Sequence, residues 1–182
     1  VGVISNRADA PGLEIARGEN LATAVHQLKN FPDKNACDAA ITKTLIEWRA
    51  DIVCLAGFMR ILTAPFVHHF EGRILNIHPS LLPKYPGLNT HQRALDAGES
   101  QHGCTVHLVT EQLDGDPRII QGSVPILDDD NVEKLARRVL KVEHSVYPQA
   151  IKLIASGRLV INDDQLWLDG EPMREPLLAK PG

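Results

Sequence analysis

Arg73-Ile74-Leu75-Asn76-Ile77-His78-Pro79-Ser80-Leu81-Leu82-Pro83-Lys84-Tyr85-Pro86-Gly87 is the stretch from which the rest of the chain can be read. Its first half carries apolar Ile74, Leu75 and Ile77 behind Arg73, the pattern of a short buried strand. Asn76 and His78 are two apart, so on a strand their side chains leave the same face of the sheet. Pro79 cannot continue a central strand, and it holds the residue before it extended. Pro83, Pro86 and Gly87 then carry the backbone away as a stiff loop. An amide and an imidazole are thereby expected side by side at the carboxyl end of a strand, the end at which ligands bind in open α/β sheets.

The flanking sequence supplies the sheet. Val1–Ile4, Ala22–Leu28, Ile52–Ala56, Thr105–Thr110 and Ile119–Ile126 read as further strands. Between them lie helical patterns: about 12–17, then a segment entered at Asp33 as N-cap with Cys37, Ile41, Leu45 and Trp48 on one face. Thr63 is expected to cap a helix with Pro65 in its first turn, and Thr90 one that Gly98 stops. Asp128, Asp129 and Asp130 are expected as a solvated helix start. Leu135, Val139, Val142, Val146, Ala150 and Ile154 form the stripe of a long helix, which Pro148 should kink. Residues 159–161 and 166–168 read as a terminal hairpin, and the Pro-rich segment from Glu171 as a surface arm. Strands alternating with helices predict an α/β domain, a mostly parallel sheet flanked by helices, spanning 1–182 with 171–182 as a tail.

At 182 residues, 43% hydrophobic and 23% charged, the chain has the composition of one soluble globular domain. A net charge of −4 without a basic cluster argues against a nucleic-acid partner. The apolar runs are too short to span a bilayer, and no membrane association is expected. Cys37, Cys54 and Cys104 are scattered in apolar segments, so all three are expected reduced and buried, and the compartment cytoplasmic.

The chemistry narrows by elimination. The chain has no Cys-x-x-Cys, no His-Glu-x-x-His and no Asp-rich calcium loop, so no metal site is expected. The paired His68 and His69 are adjacent on a helix and do not share a face. There is no Gly-x-Ser-x-Gly elbow and no Walker loop. An imidazole, a primary amide and a carboxylate remain. Those three suit acyl transfer to an amine, in which one nitrogen loses a proton, another gains one, and a tetrahedral oxyanion needs hydrogen-bond donors.

The string Asn76-Ile77-His78-Pro79-Ser80-Leu81-Leu82-Pro83 resembles the signature of formyltransferases that use 10-formyltetrahydrofolate. Lys84-Tyr85-Pro86-Gly87-Leu88 resembles their phosphoribosylglycinamide branch, and Ala56–Leu62, His102-Gly103, Leu113-Asp114-Gly115 and Glu143–Pro148 are further pieces of the resemblance. The resemblance runs from Val1 to about Leu168. It implies a Rossmann-like fold, 10-formyltetrahydrofolate as co-substrate, and glycinamide ribonucleotide as acceptor in purine biosynthesis. Another 10-formyltetrahydrofolate-dependent transferase or hydrolase, or a folate-binding module without catalysis, are the alternatives.

By the same resemblance Asn76 stabilises the oxyanion, His78 is the general acid/base, and Asp114 favours the protonated imidazole. Met59, Arg60, Ile61 and Leu62 match the folate cleft, with Val67, Ile74 and Val109 as pocket walls and Thr110 and Glu111 in the loop over the pterin. Lys34 matches a basic position near the ligands. Phe58, Pro79 and Glu143 match positions that meet the ribonucleotide. His91, His102, His107 and His144 read as packing or hydrogen-bonding residues. Two departures stand out. Asp116 occupies a position that is glycine in the family. Val1 aligns with the family's second strand, so a preceding strand, phosphate-cradling loop and helix of roughly 30 residues are expected before it.

Overall fold

Short β-rich apolar runs separated by amphipathic segments give the chain its alternating plan. The structure, a computed structural model, describes residues 1–110, 114–115, 117–162 and 165–179. These fall into two compact units, one built from 1–53 and 60–71, the other from 54–59 and the chain from Gly72 onward.

In the first unit β1 (Gly2–Ser5) pairs in parallel with β2 (Ala22–Val25), and α1 (Pro11–Gly18) makes the crossover, burying Leu13 and Ala16. Gly2 is required by packing: a Cβ there would lie 2.4 Å from the Trp48 ring and 2.8 Å from the Ala22 carbonyl. Asp33 caps α2 (Lys34–Glu47) as expected, accepting the Ala36 N–H at 2.9 Å. Cys37 and Leu45 are buried, and so is Asp38. Thr63 precedes α3 (Ala64–His69) but its side chain makes no capping bond. Asp38 reaches across instead and accepts the Thr63 N–H at 2.9 Å, so an orphan donor at the start of α3 is satisfied from α2.

A five-stranded sheet, all but Val53 of it in the second unit, has the order β10 (Leu177–Leu178), β6 (Arg118–Pro125), β5 (Gln101–Leu108), β4 (Ile74–His78), β3 (Val53–Leu55). β5 runs antiparallel to both β4 and β6, and β10 joins β6 in parallel. The helix α4 (Thr90–Asp96) follows β4. The long helix α5 (Val132–Ala155) is capped by Asn131, whose side chain accepts the Lys134 N–H, and runs unbroken through Pro148. Its stripe buries Leu135, Val139, Val146 and Ala150, each side chain of Leu or Val size stabilising by about 1.5–3 kcal/mol. α5 approaches β6 closely because Gly122 has no side chain; a Cβ would sit 2.2 Å from a Val142 methyl. The Tyr147 hydroxyl lies 2.7 Å from the Leu55 carbonyl and 3.1 Å from that of Leu75.

Several expectations are corrected. Cys54 is exposed, because it leaves β3 on the face opposite the buried Val53. The strand expected at Thr105–Thr110 begins at Gln101 and ends at Leu108, since Gly103 lets it pass within reach of Gly122. The strand expected over Ala22–Leu28 stops at Val25, and Leu28–Asn30 form a 3₁₀ turn. Thr90 does not cap α4; its hydroxyl donates to the Pro79 carbonyl at 2.6 Å, and Asn89 takes the cap position with φ 57°. Asp130 is not simply solvated: its carboxylate accepts two bonds from the Arg138 guanidinium, at 2.6 and 2.8 Å, and one from the Leu127 N–H. These contacts hold its pKa down at about 2. The segment from Glu171 is no free arm. After the expected hairpin of β7 (Leu159–Asn162) and β8 (Gln165–Leu168), β9 (Glu171–Pro172) pairs with β8, and β10 extends the main sheet.

Candidate active site

β4 delivers the first two side chains. Asn76 and His78 project from one face of it, and the register places Asn76 opposite His107 and His78 opposite Thr105 on β5. Directly opposed residues bring their side chains within reach, and Asn76 Nδ2 lies 3.2 Å from His107 Nε2. The β5–β6 register slips between Val106 and His107, a β-bulge of the kind that re-aims side chains. His107 Nδ1 lies 3.0 Å from the Leu108 carbonyl, which only accepts, so Nδ1 carries the hydrogen and Nε2 accepts from the Asn76 amide.

His78 is buried, 6% exposed. Its Nε2 donates to the Tyr85 carbonyl at 2.9 Å, and its Nδ1 stands 3.5 Å from Asp114 Oδ1. Asp114 Oδ1 is also 3.8 Å from His107 Nε2, and its Oδ2 accepts the Gly87 N–H at 2.8 Å. Asp114 has φ 46°, a left-handed conformation that aspartate tolerates better than most residues. Two histidines, an amide and a carboxylate therefore share one buried corner of the second unit. The loop after β4 is tied down behind them. Thr105 donates to the Ser80 carbonyl and accepts the Leu82 N–H, while Gln121 and Arg118 both donate to the Leu82 carbonyl.

The other expected site residues are distributed over both units. In the first, Lys34 opens α2 on an exposed face. Arg60 pairs with buried Asp38 at 2.6 Å, Ile61 is exposed, and Leu62 and Val67 are buried. In the second, Met59 is 79% exposed, Phe58, Val109 and Thr110 are half-buried, and Ile74 is fully buried. The Pro79 carbonyl accepts from Thr90, and Glu143 lies half-buried on α5, where burial pushes its carboxyl above the usual range. Glu111, Leu113 and Asp116 lie outside the described residues. Among the described residues no three His, Cys, Asp or Glu side chains are grouped as a metal ion requires. His107, expected from sequence only to pack or hydrogen-bond, joins this corner; its signal is the cross-strand register, which spacing within one strand does not reveal.

An imidazole beside a carboxylate, with an amide on the same strand face, is a set of groups suited to acyl transfer; the comparisons give the family. Residues 1–151 match the formyl transferase family model. The phosphoribosylglycinamide formyltransferase of Escherichia coli K12 is 47% identical over 169 residues, 93% of this chain and 80% of that protein. The solved structure of the phosphoribosylglycinamide formyltransferase of Coxiella burnetii superposes with a TM-score of 0.91 at 44% identity, covering 97% of this chain and 84% of that one. A formyltetrahydrofolate deformylase from Pseudomonas syringae superposes with a TM-score of 0.84 at 27% identity, over 92% of this chain and 55% of its own. The chain belongs to the formyl transferase family, and its α/β architecture is the Rossmann-like fold of those structures. No helix among the described residues is long and apolar enough to cross a membrane.

Proposed function

We propose that this protein transfers the formyl group of 10-formyltetrahydrofolate to the amine of glycinamide ribonucleotide in purine biosynthesis. The observation that carries the reading is the grouping of Asn76, His78 and Asp114 in one buried corner, in a chain of the formyl transferase family. The attacking amine adds to the formyl carbon and the carbonyl oxygen becomes an oxyanion. The Asn76 amide has two N–H groups; one is engaged by His107, and the other donates to the oxyanion. His78 takes the proton that the amine loses and returns one to the folate nitrogen as the C–N bond breaks. The neighbouring Asp114 carboxylate steadies the imidazolium formed in between.

In this reading Lys34, Met59, Arg60, Ile61, Leu62, Val67, Ile74, Val109, Thr110 and Glu111 serve the folate, and Phe58, Pro79 and Glu143 the ribonucleotide. A net charge of −4 fits a cytoplasmic enzyme of small molecules rather than a partner of nucleic acid.

The test is incubation with 10-formyltetrahydrofolate, with and without glycinamide ribonucleotide. Amine-dependent appearance of tetrahydrofolate and formylated ribonucleotide is the expected result. Formate release without the amine supports a deformylase instead, and binding without turnover supports a folate-binding module; either outcome rejects the transferase.

A further inference from the structure

The ring of His78 is held mainly from one side. A carbonyl only accepts, so the 2.9 Å contact with Tyr85 fixes the hydrogen on Nε2. Nδ1 stands 3.5 Å from the Asp114 carboxylate, outside ordinary hydrogen-bond range, and is the nitrogen left to exchange a proton. The position of the Tyr85 carbonyl therefore decides which nitrogen of His78 reacts. The same short segment also positions the carboxylate, because the Gly87 N–H donates to Asp114 Oδ2.

Tyr85 has φ 56°, an unfavourable conformation for an aromatic residue, which persists only where the surroundings over-determine it. The surroundings are specific. Glu99 accepts the Tyr85 hydroxyl at 2.8 Å and grips the Lys84 ammonium at 2.7 and 2.9 Å. Ser80 donates to the Lys84 carbonyl at 2.7 Å from inside. The Arg93 guanidinium lies 5.2 Å over the Tyr85 ring and donates to the Pro86 carbonyl. A cavity of about 390 Å³, lined in part by Tyr85, Glu99 and His102, adjoins this clamp and gives an untethered ring room to move. The exposed Lys84 ammonium contributes little by itself. Ser80 also donates to the Tyr85 carbonyl at 3.2 Å, so the turn's backbone is held from inside by Ser80 and the Tyr85 side chain from outside by Glu99.

We propose that Glu99 is a positioning residue for His78, holding the Tyr85 carbonyl so that the imidazole keeps its hydrogen on Nε2 and presents Nδ1 to the reaction. This rests on the assignment of His78 as the acid/base group. Glu99 touches no reacting atom; it acts through Tyr85.

The experiment compares wild type with Glu99→Ala, Glu99→Gln and Tyr85→Phe. It reads kcat and KM for both substrates and the His78 tautomer by long-range ¹H–¹⁵N NMR, with thermal melting as the folding control. Glu99→Ala and Tyr85→Phe should fold, keep KM for the folate, lose roughly tenfold or more in kcat, as small misplacements of a catalytic group do, and show the Nδ1–H tautomer alongside Nε2–H. Glu99→Gln, whose amide oxygen still accepts the hydroxyl, should retain most of the activity. If Glu99→Ala fails to fold, Tyr85→Phe, which preserves the ring packing, decides. Wild-type kcat in a folded variant overturns the proposal, and so does a single unchanged tautomer. Should the wild-type protein transfer no formyl group, the proposed function fails, while the tautomer measurement still decides whether Glu99 sets the His78 ring.

Discussion

In the proposed reaction His78 and Asn76 carry opposite burdens, one moving protons and the other supplying a fixed dipole, so their loss should separate in experiment. His78→Ala should abolish turnover while folate affinity, measured by fluorescence titration, persists, because the imidazole acts on protons rather than on pterin recognition; unchanged turnover would remove His78 from the mechanism. Asn76→Ala should lower kcat by about 10²–10³ with little change in KM, the usual cost of one preorganised oxyanion donor. A rise in KM alone would mean that the amide only binds substrate. Their shared face is legible in the sequence because strand alternation puts positions two apart on one side, while their roles come from the resemblance. Asp114 is legible only by resemblance. It comes from a loop well beyond His78 in the chain and reaches it through a left-handed φ of 46°, and neither property leaves a periodic trace. His107 escapes the sequence for a related reason. Its partner is set by the pairing of β4 with β5, and register between strands is a tertiary fact.

At the scale of elements, glycine divides into positions where a side chain has room and positions where it does not. Gly12 is the second residue of α1, and a Cβ placed there would meet nothing within 4 Å, so Gly12→Ala should stabilise the protein by about 0.4–1 kcal/mol, chiefly by restricting the unfolded chain. Gly103 lies in β5 where a Cβ would fall 2.0 Å from the Gly122 carbonyl, and backbone cannot step aside as a flexible side chain can. Gly103→Ala should therefore destabilise by about 1–3 kcal/mol or more, with β5 and β6 forced apart. Urea unfolding of both variants checks the pair; equal midpoints would show that the β5–β6 approach is not constrained by Gly103. Close approach of this kind explains which elements the sequence hides. α5 is readable from its apolar stripe, and α2, whose buried face includes the polar Asp38 beside Cys37 and Leu45, from its Asp33 cap. The start of β5 is not, because Gln101-His102-Gly103 has no alternation and owes its strand state to the neighbour it pairs with. Thr63 and Thr90 have the right chemistry for caps, yet tertiary partners claim those positions: Asp38 takes the Thr63 N–H and Pro79 takes the Thr90 hydroxyl. The strands β9 and β10 are two residues each, too short to register as a pattern.

The stability of the whole molecule should record one buried histidine that takes no part in the proposed chemistry. His102 is 1% exposed, and its pKa is lowered from 6.5 to about 4, first by burial and then by the charge that His91 can carry beside it. The hydrogen-bond pattern gives the reason. His102 is bonded to the Pro79 backbone, whose carbonyl only accepts, so that ring nitrogen holds the hydrogen. Its Nε2, 3.1 Å from His91 Nδ1, must then accept. Protonating Nε2 would set two N–H groups against each other in a dry site, and nearby Glu99 offsets this only in part. Because the folded pKa is depressed, this contribution to stability is fully present above the unfolded value of 6.5. It is lost as pH falls toward the folded value of about 4, since the unfolded chain binds the proton first. Each pH unit between those two values is worth about 1.4 kcal/mol, so the loss across the window is of the order of 3 kcal/mol. Carboxylates titrate in the lower part of the same window, so the contribution is isolated by difference. His102→Gln, whose amide can still donate to Pro79, should show a shallower fall in the urea midpoint between about pH 7 and pH 4 than wild type does. Parallel pH profiles for the two proteins would mean that His102 is protonated as readily in the folded chain as in the unfolded one, and the neutral His91–His102 pair would have to be abandoned.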